Sequence, residues 1–137
     1  MFEMVHHVAY VVDDMDKAIA FFSPRFDIIV ERRWVSTETG TEFCTCIIND
    51  FVFEFMAPSS PDSRHHQTLA ARGGSCLDHV AYGVHEIDKA LVTLKERGVL
   101  PLGEAPRIAP TGWRVANLDP ATTMGIPMQL VDIDYKG

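Results

Sequence analysis

Apolar and polar positions alternate with a period of two over Val5–Val12, so Val5, His7, Ala9 and Val11 face one way and His6, Val8, Tyr10 and Val12 the other. That pattern predicts a strand. The period then changes: Ala18, Ile19, Phe21 and Phe22 supply the apolar positions of a helix, Asp13 or Asp14 can cap it, and Pro24 predicts its end. Three strands are expected next, near residues 27–36, 41–48 and 51–57, with Asn49-Asp50 as the hairpin turn between the last two. The plan then recurs. A second strand begins at His79, and His85-Glu86 leads into Ile87, Ala90, Leu91 and Leu94 at helical spacing, closed by Gly98. Further strands are expected near 104–109, 113–118 and 126–133.

The recurrence extends to residue identity. Residues 7–18 read HVAYVVDDMDKA and residues 79–90 read HVAYGVHEIDKA, with eight identities in twelve positions and no gap. A period of 72 residues is too long for a solenoid repeat, which runs ~20–50 residues. It points to two half-domains built on one supersecondary plan. The expected fold class is α+β: two pseudo-symmetric βαβββ modules, residues 1–57 and 76–137, within one domain spanning 1–137. Residues 58–75, polar and carrying Pro and Gly, are expected to link them. If each helix covers one sheet face, the opposite faces stay free. Two half-sheets side by side would then form an open, incomplete barrel with a central cleft.

A chain of 137 residues can bury most of its apolar surface without a disulfide or metal staple. Nineteen acidic residues against twelve basic ones, with no long basic run, argue against a nucleic-acid partner. The start, MFEMVHHVAYVVDD, lacks a basic leader, and no apolar run approaches the ~18 residues of a membrane span, so the expectation is a cytoplasmic protein without membrane contact. Three cysteines make no disulfide framework. Cys44 and Cys46 share one strand face and read as small buried hydrophobes of a reducing compartment.

Four polar side chains stand where apolar ones belong. His7 and its repeat equivalent His79 alternate with the helix-facing positions. In FVFEFMAP, Glu54 lies on the face opposite Phe51, Phe53 and Phe55; in IPMQLVD, Gln129 lies opposite Met128 and Leu130. An ionised glutamate among phenylalanines costs several kcal/mol unless it is paired. A divalent cation pairs it well, and two imidazoles, one carboxylate and one amide oxygen suit zinc, iron, cobalt, nickel or manganese. His7, Glu54, His79 and Gln129 are therefore the candidate metal ligands.

The stretches HHVAYVVDDMDKAIAFF, FEFMAPSSPDS, LDHVAYGVHEIDKALVTLKERGV and PRIAPTGWRVANLDPATTMGIPMQLVD resemble the vicinal oxygen chelate superfamily, the glyoxalase/bleomycin-resistance fold, and within it the methylmalonyl-CoA epimerases. The resemblance covers nearly the whole chain. It implies paired βαβββ modules around a central metal cleft, a small-molecule substrate that could be an acyl-CoA, a homodimer, and metal ligands at His7, Glu54, His79 and Gln129. This chain departs from the epimerase pattern, which has Gln at the second ligand and Glu at the fourth; here they are reversed. Gln129 cannot exchange a proton at neutral pH, so Glu54 is expected to take the acid/base role. The resemblance also suggests Glu38, in STETG, as an opposite-face base. Arg107 and Arg114, flanking the closing strands, are expected to meet a substrate carboxylate or phosphate.

The resemblance thus implies a metal-dependent isomerase or epimerase working through an enediolate, with a methylmalonyl thioester as the first substrate to consider. Three alternatives share the scaffold: a glyoxalase I-like lyase needing one base, an iron-dependent dioxygenase using His7, His79 and Glu54 as a facial triad, and a metal-free small-molecule-binding or resistance protein.

Overall fold

The computed structural model describes residues 1–137, and its elements follow from short local signals. β1 (Met4–Val11) gives way to α1 (Met15–Phe26) where the Asp14 side chain accepts a hydrogen bond from the Lys17 backbone N–H, with Asp16 adding a carboxylate at the positive end of the helix. The helix runs past Pro24, contrary to the expected stop. Pro24 has no N–H to give the Ala20 carbonyl, so one bond of the last turn is missing, yet its φ suits a helix and two helical residues follow it. Phe22 holds the last turns by packing on Phe55 and Phe26, and Asp27, in the left-handed region, closes the helix with a bond from its N–H to the Ser23 carbonyl.

β2 (Ile29–Ser36), β3 (Thr41–Ile48) and β4 (Phe51–Pro58) follow. Asn49, at a φ of 55°, and Asp50 make the two-residue turn between β3 and β4. In this module the strand order is β2-β3-β4-β1, with β1 parallel to β4 and the other pairs antiparallel. Cys44, Cys46, Phe55 and Ala57 pack against Met15, Ala18 and Phe22 of α1. The two buried thiols share a face, with their sulfurs 3.9 Å apart.

Residues 58–75 are more than a linker. They contain α2 (His65–Arg72), which ends at Gly73 and packs against β4. Leu69 reaches Ala9, Val11, Phe43 and Met56, so the sheet face opposite α1 is partly covered rather than left open. His65, the first residue of α2, is 2% exposed.

β5 (Cys76–Val84), α3 (Ile87–Glu96), β6 (Arg107–Ile108), β7 (Arg114–Asn117) and β8 (Met128–Asp132) repeat the plan, in strand order β5-β8-β7-β6 with β5 parallel to β8. Ile87, Ala90, Leu91 and Leu94 of α3 cover Ala116, Leu118 and Leu130. The opposite face carries Ala81, Val115 and Val131, packed with Ala109 and Trp113.

The chain divides into one compact unit of His7–Asp78 and another of Met1–His6 with His79–Gly137. The first six residues thus belong with the second βαβββ plan. Phe2 stacks on Tyr82, and the Glu3 N–H donates to the Gly83 carbonyl. Gly83 stands where the first copy of the repeat has Val11, and a Cβ there would come within 2.7 Å of Ile133 and 2.9 Å of Met4. The glycine is required by that close approach. No helix is long and apolar enough to cross a membrane.

Candidate metal and proton-transfer site

Each unit carries one imidazole and one further polar group on the sheet face turned away from its long helix. In the first, β1 and β4 run parallel with His7 opposite Val52 and Ala9 opposite Glu54, so histidine and glutamate occupy neighbouring rungs of one face. In the second, Ala81 is opposite Gln129 and His79 precedes Ala81 by two residues, which reproduces that spacing. All four side chains are buried or nearly so.

Glu54 is 3% exposed, and its Oε2 has no hydrogen-bond partner. Burial, reinforced by the negative charge of Asp78, pushes its carboxyl up to about 8. A buried oxygen without a donor calls for a cation or a proton, and the donor chemistry of this chain fits a divalent ion. Gln129 is differently placed. Its Nε2 donates to Asn117 Oδ1 at 2.8 Å, on the neighbouring strand, which fixes the amide plane and leaves Oε1 as the acceptor available to a cation.

The remaining expected site residues separate. Arg107 is opposite Val115 and therefore shares the face of Gln129 and Val131. Arg114 points the other way. Its neighbours in the strand alternation, Ala116 and Leu118, pack under α3, and its guanidinium donates to Asp132 Oδ2 and Asp88 Oδ2, both at 2.8 Å. These bonds hold it above the usual guanidinium range. Arg114 ties a strand to a helix through these two carboxylates. Glu38 lies exposed in the turn between β2 and β3.

Sequence reasoning missed Asn117, although the signal was present: it stands 72 residues after Thr45, the β3 residue opposite Glu54. It also missed the face of Arg32, because a bulge interrupts the alternation of β2 between Val30 and Arg32.

Comparison with known proteins agrees with this architecture. The family profile described as the glyoxalase/bleomycin resistance protein/dioxygenase superfamily matches residues 6–117. The mitochondrial methylmalonyl-CoA epimerase of Bos taurus is 27% identical over 126 residues, covering 92% of this chain and 72% of that one. Among solved structures, a selenomethionine form of methylmalonyl-CoA epimerase superposes with a TM-score of 0.88 at 27% identity, covering 100% of this chain and 98% of its own. A methylmalonyl-CoA epimerase in complex with methylmalonyl-CoA and NH4+ is similar in fold, with a TM-score of 0.86 at 24% identity over 96% of this chain and 95% of that one.

Proposed function

Because this chain belongs to the glyoxalase/bleomycin resistance protein/dioxygenase superfamily, we propose that it is a divalent-metal-dependent isomerase of the epimerase type, acting on an acyl-CoA thioester such as methylmalonyl-CoA. The observation that carries this reading is Glu54, a buried carboxylate with an unpartnered oxygen on the same sheet face as His7. Two imidazoles, a carboxylate and an amide oxygen, from His7, His79, Glu54 and Gln129, would suit a divalent cation. A bound divalent cation supplies Lewis-acid stabilisation of negative charge developing on a carbonyl oxygen.

The chain's own residues then do the following. The imidazoles of His7 and His79 would supply nitrogen ligands to the cation, and Asn117 orients the amide of Gln129. Glu54 Oε2 would accept the proton from the carbon beside the thioester carbonyl. Inversion at that carbon needs a proton returned to the other face, the role assigned to Glu38. A single-base isomerisation of the glyoxalase type is the second reading. It is favoured by the exposure of Glu38 and by the inability of Gln129 to exchange a proton.

The test is loss of the α-proton signal of methylmalonyl-CoA in D₂O, followed by NMR with the cobalt-loaded protein. Fast exchange that requires the metal is expected, slowed at least ~100-fold by Glu54→Gln. Under the epimerase reading Glu38→Gln keeps exchange of one epimer and loses inversion; under the single-base reading it changes neither. No exchange above the metal-free background would remove the enolisation chemistry.

A further inference from the structure

β2 does not alternate regularly. Val30 is opposite Cys46, on the α1 side, but the next paired residue is Arg32, opposite Thr45, so Glu31 is an extra residue in a β-bulge. Without the bulge Arg32 would face α1. With it, Arg32 lies on the same face as Thr45 and Glu54, while Arg33 turns under the sheet to meet Asp16 of α1. Bulges recur beside active sites because they re-aim a side chain in this way.

Three features suit Arg32 to holding a ligand. Its guanidinium stacks over the ring of Trp34, 4.0 Å from the centroid, and Trp34 stacks in turn on Phe43 at 5.2 Å. The cation is thereby held over a flat aromatic wall. It is also uncommitted: Arg33 is paired with Asp16 and Glu42, and Arg114 with Asp88 and Asp132, whereas Arg32 has only the ring beneath it. The adjacent carboxylate, Glu31, is engaged by the Thr45 hydroxyl at 2.8 Å. Finally, Arg32, Thr45 and Glu54 form one row across β2, β3 and β4. At ~4.8 Å per strand, the backbones at Arg32 and Glu54 stand ~10 Å apart.

We propose that Arg32, stacked on Trp34, anchors the carboxylate of a substrate whose carbon Glu54 deprotonates. Arg32 then sets the preference, among acyl thioesters, for one that carries a carboxylate. The proposal rests on the reading of Glu54 as the proton-transfer group.

The test reads binding separately from turnover. In a Trp113→Phe background Trp34 is the sole tryptophan, and its fluorescence is titrated with methylmalonyl-CoA and with propionyl-CoA, which lacks the carboxylate. Arg32→Gln is expected to raise the Kd for methylmalonyl-CoA about 10-fold or more, with Arg32→Lys in between, while the Kd for propionyl-CoA moves less than twofold. Equal weakening of both ligands, no change in either, or no saturable binding of methylmalonyl-CoA overturns the proposal. If the carboxylate-dependent difference appears but α-proton exchange does not, the anchor stands and the isomerase reading falls.

Discussion

Glu54 and Gln129 hold matching places in the last strands of the two modules, and the strand beside each offers a polar residue at the same rung: Thr45 opposite Glu54, Asn117 opposite Gln129. The two encounters end differently. Asn117 accepts from the Gln129 amide and fixes it, whereas the Thr45 hydroxyl donates to Glu31 and leaves Glu54 Oε2 without a partner. One module has a satisfied polar pair that can present an oxygen but cannot move a proton. The other has a desolvated carboxyl that can do both. A duplicated scaffold has thus placed structural order in one copy and chemical reactivity in the other, and the cost of the reactive copy is a buried group whose hydrogen bonding is incomplete.

That cost predicts the largest effect. In the metal-free protein the Glu54 carboxyl titrates near 8 when folded, against the ordinary 4.5 of an unfolded glutamate. Below about pH 4.5 it is protonated in both states and imposes no penalty. Between these values the unfolded chain releases the proton and the folded chain keeps it, so stability falls as pH rises. Above about pH 8 the penalty is complete, on the order of 5 kcal/mol. Urea unfolding with EDTA present, compared between wild type and Glu54→Gln, should show curves that diverge from pH 5 to pH 8.5 with the variant gaining relative stability. Parallel curves would mean that Glu54 is as well satisfied as Gln129, and the contrast between the modules would be lost.

The contrast also predicts unequal roles for the two neighbouring residues. Asn117→Ala releases the Gln129 amide and should weaken cobalt binding about 10- to 100-fold, as loss of an orienting partner does. Thr45→Ala removes a hydroxyl that serves Glu31, so cobalt affinity should change only about twofold or less. Titration of both variants with cobalt, read by its absorption bands, decides the matter. Equal losses would show that both neighbours orient a ligand.

How much of this was legible in the sequence depended on strand length and regularity. The faces of His7, Glu54, His79 and Gln129 could be read because the strands around them alternate cleanly with a period of two. The face of Arg114 could not: β7 has four residues and β6 two, too few to display a period. The bulge at Glu31 hides the face of Arg32 in a strand that is long enough. α2 escaped because His65–Arg72 is mostly polar and sits in a segment rich in turn residues; the inward positions His65 and Leu69 are too few to make a stripe. The N-terminal six residues left one trace, Gly83 in place of the repeat's valine, and that trace acquires meaning only once Met4 is seen beside it.

The smallest predicted difference concerns how each helix is tied to its sheet. Asp16 in α1 and Asp88 in α3 are repeat equivalents, and each takes an arginine from a strand: Arg33 from β2, Arg114 from β7. The second acceptors differ in exposure. Arg33 also pairs with Glu42, whose side chain is 21% exposed, while Arg114 pairs with Asp132, at 7%. Removing Arg33 leaves carboxylates that water can reach, so Arg33→Ala should cost less than about 1 kcal/mol and its effect should fade in high salt. Removing Arg114 strands a nearly buried carboxylate, so Arg114→Ala should cost about 1–2 kcal/mol and persist in salt. Thermal melts of both variants at low and high ionic strength separate these outcomes. If the two arginines respond alike, the clamps are equivalent, and the asymmetry of the modules is confined to Glu54, Gln129 and the residues beside them.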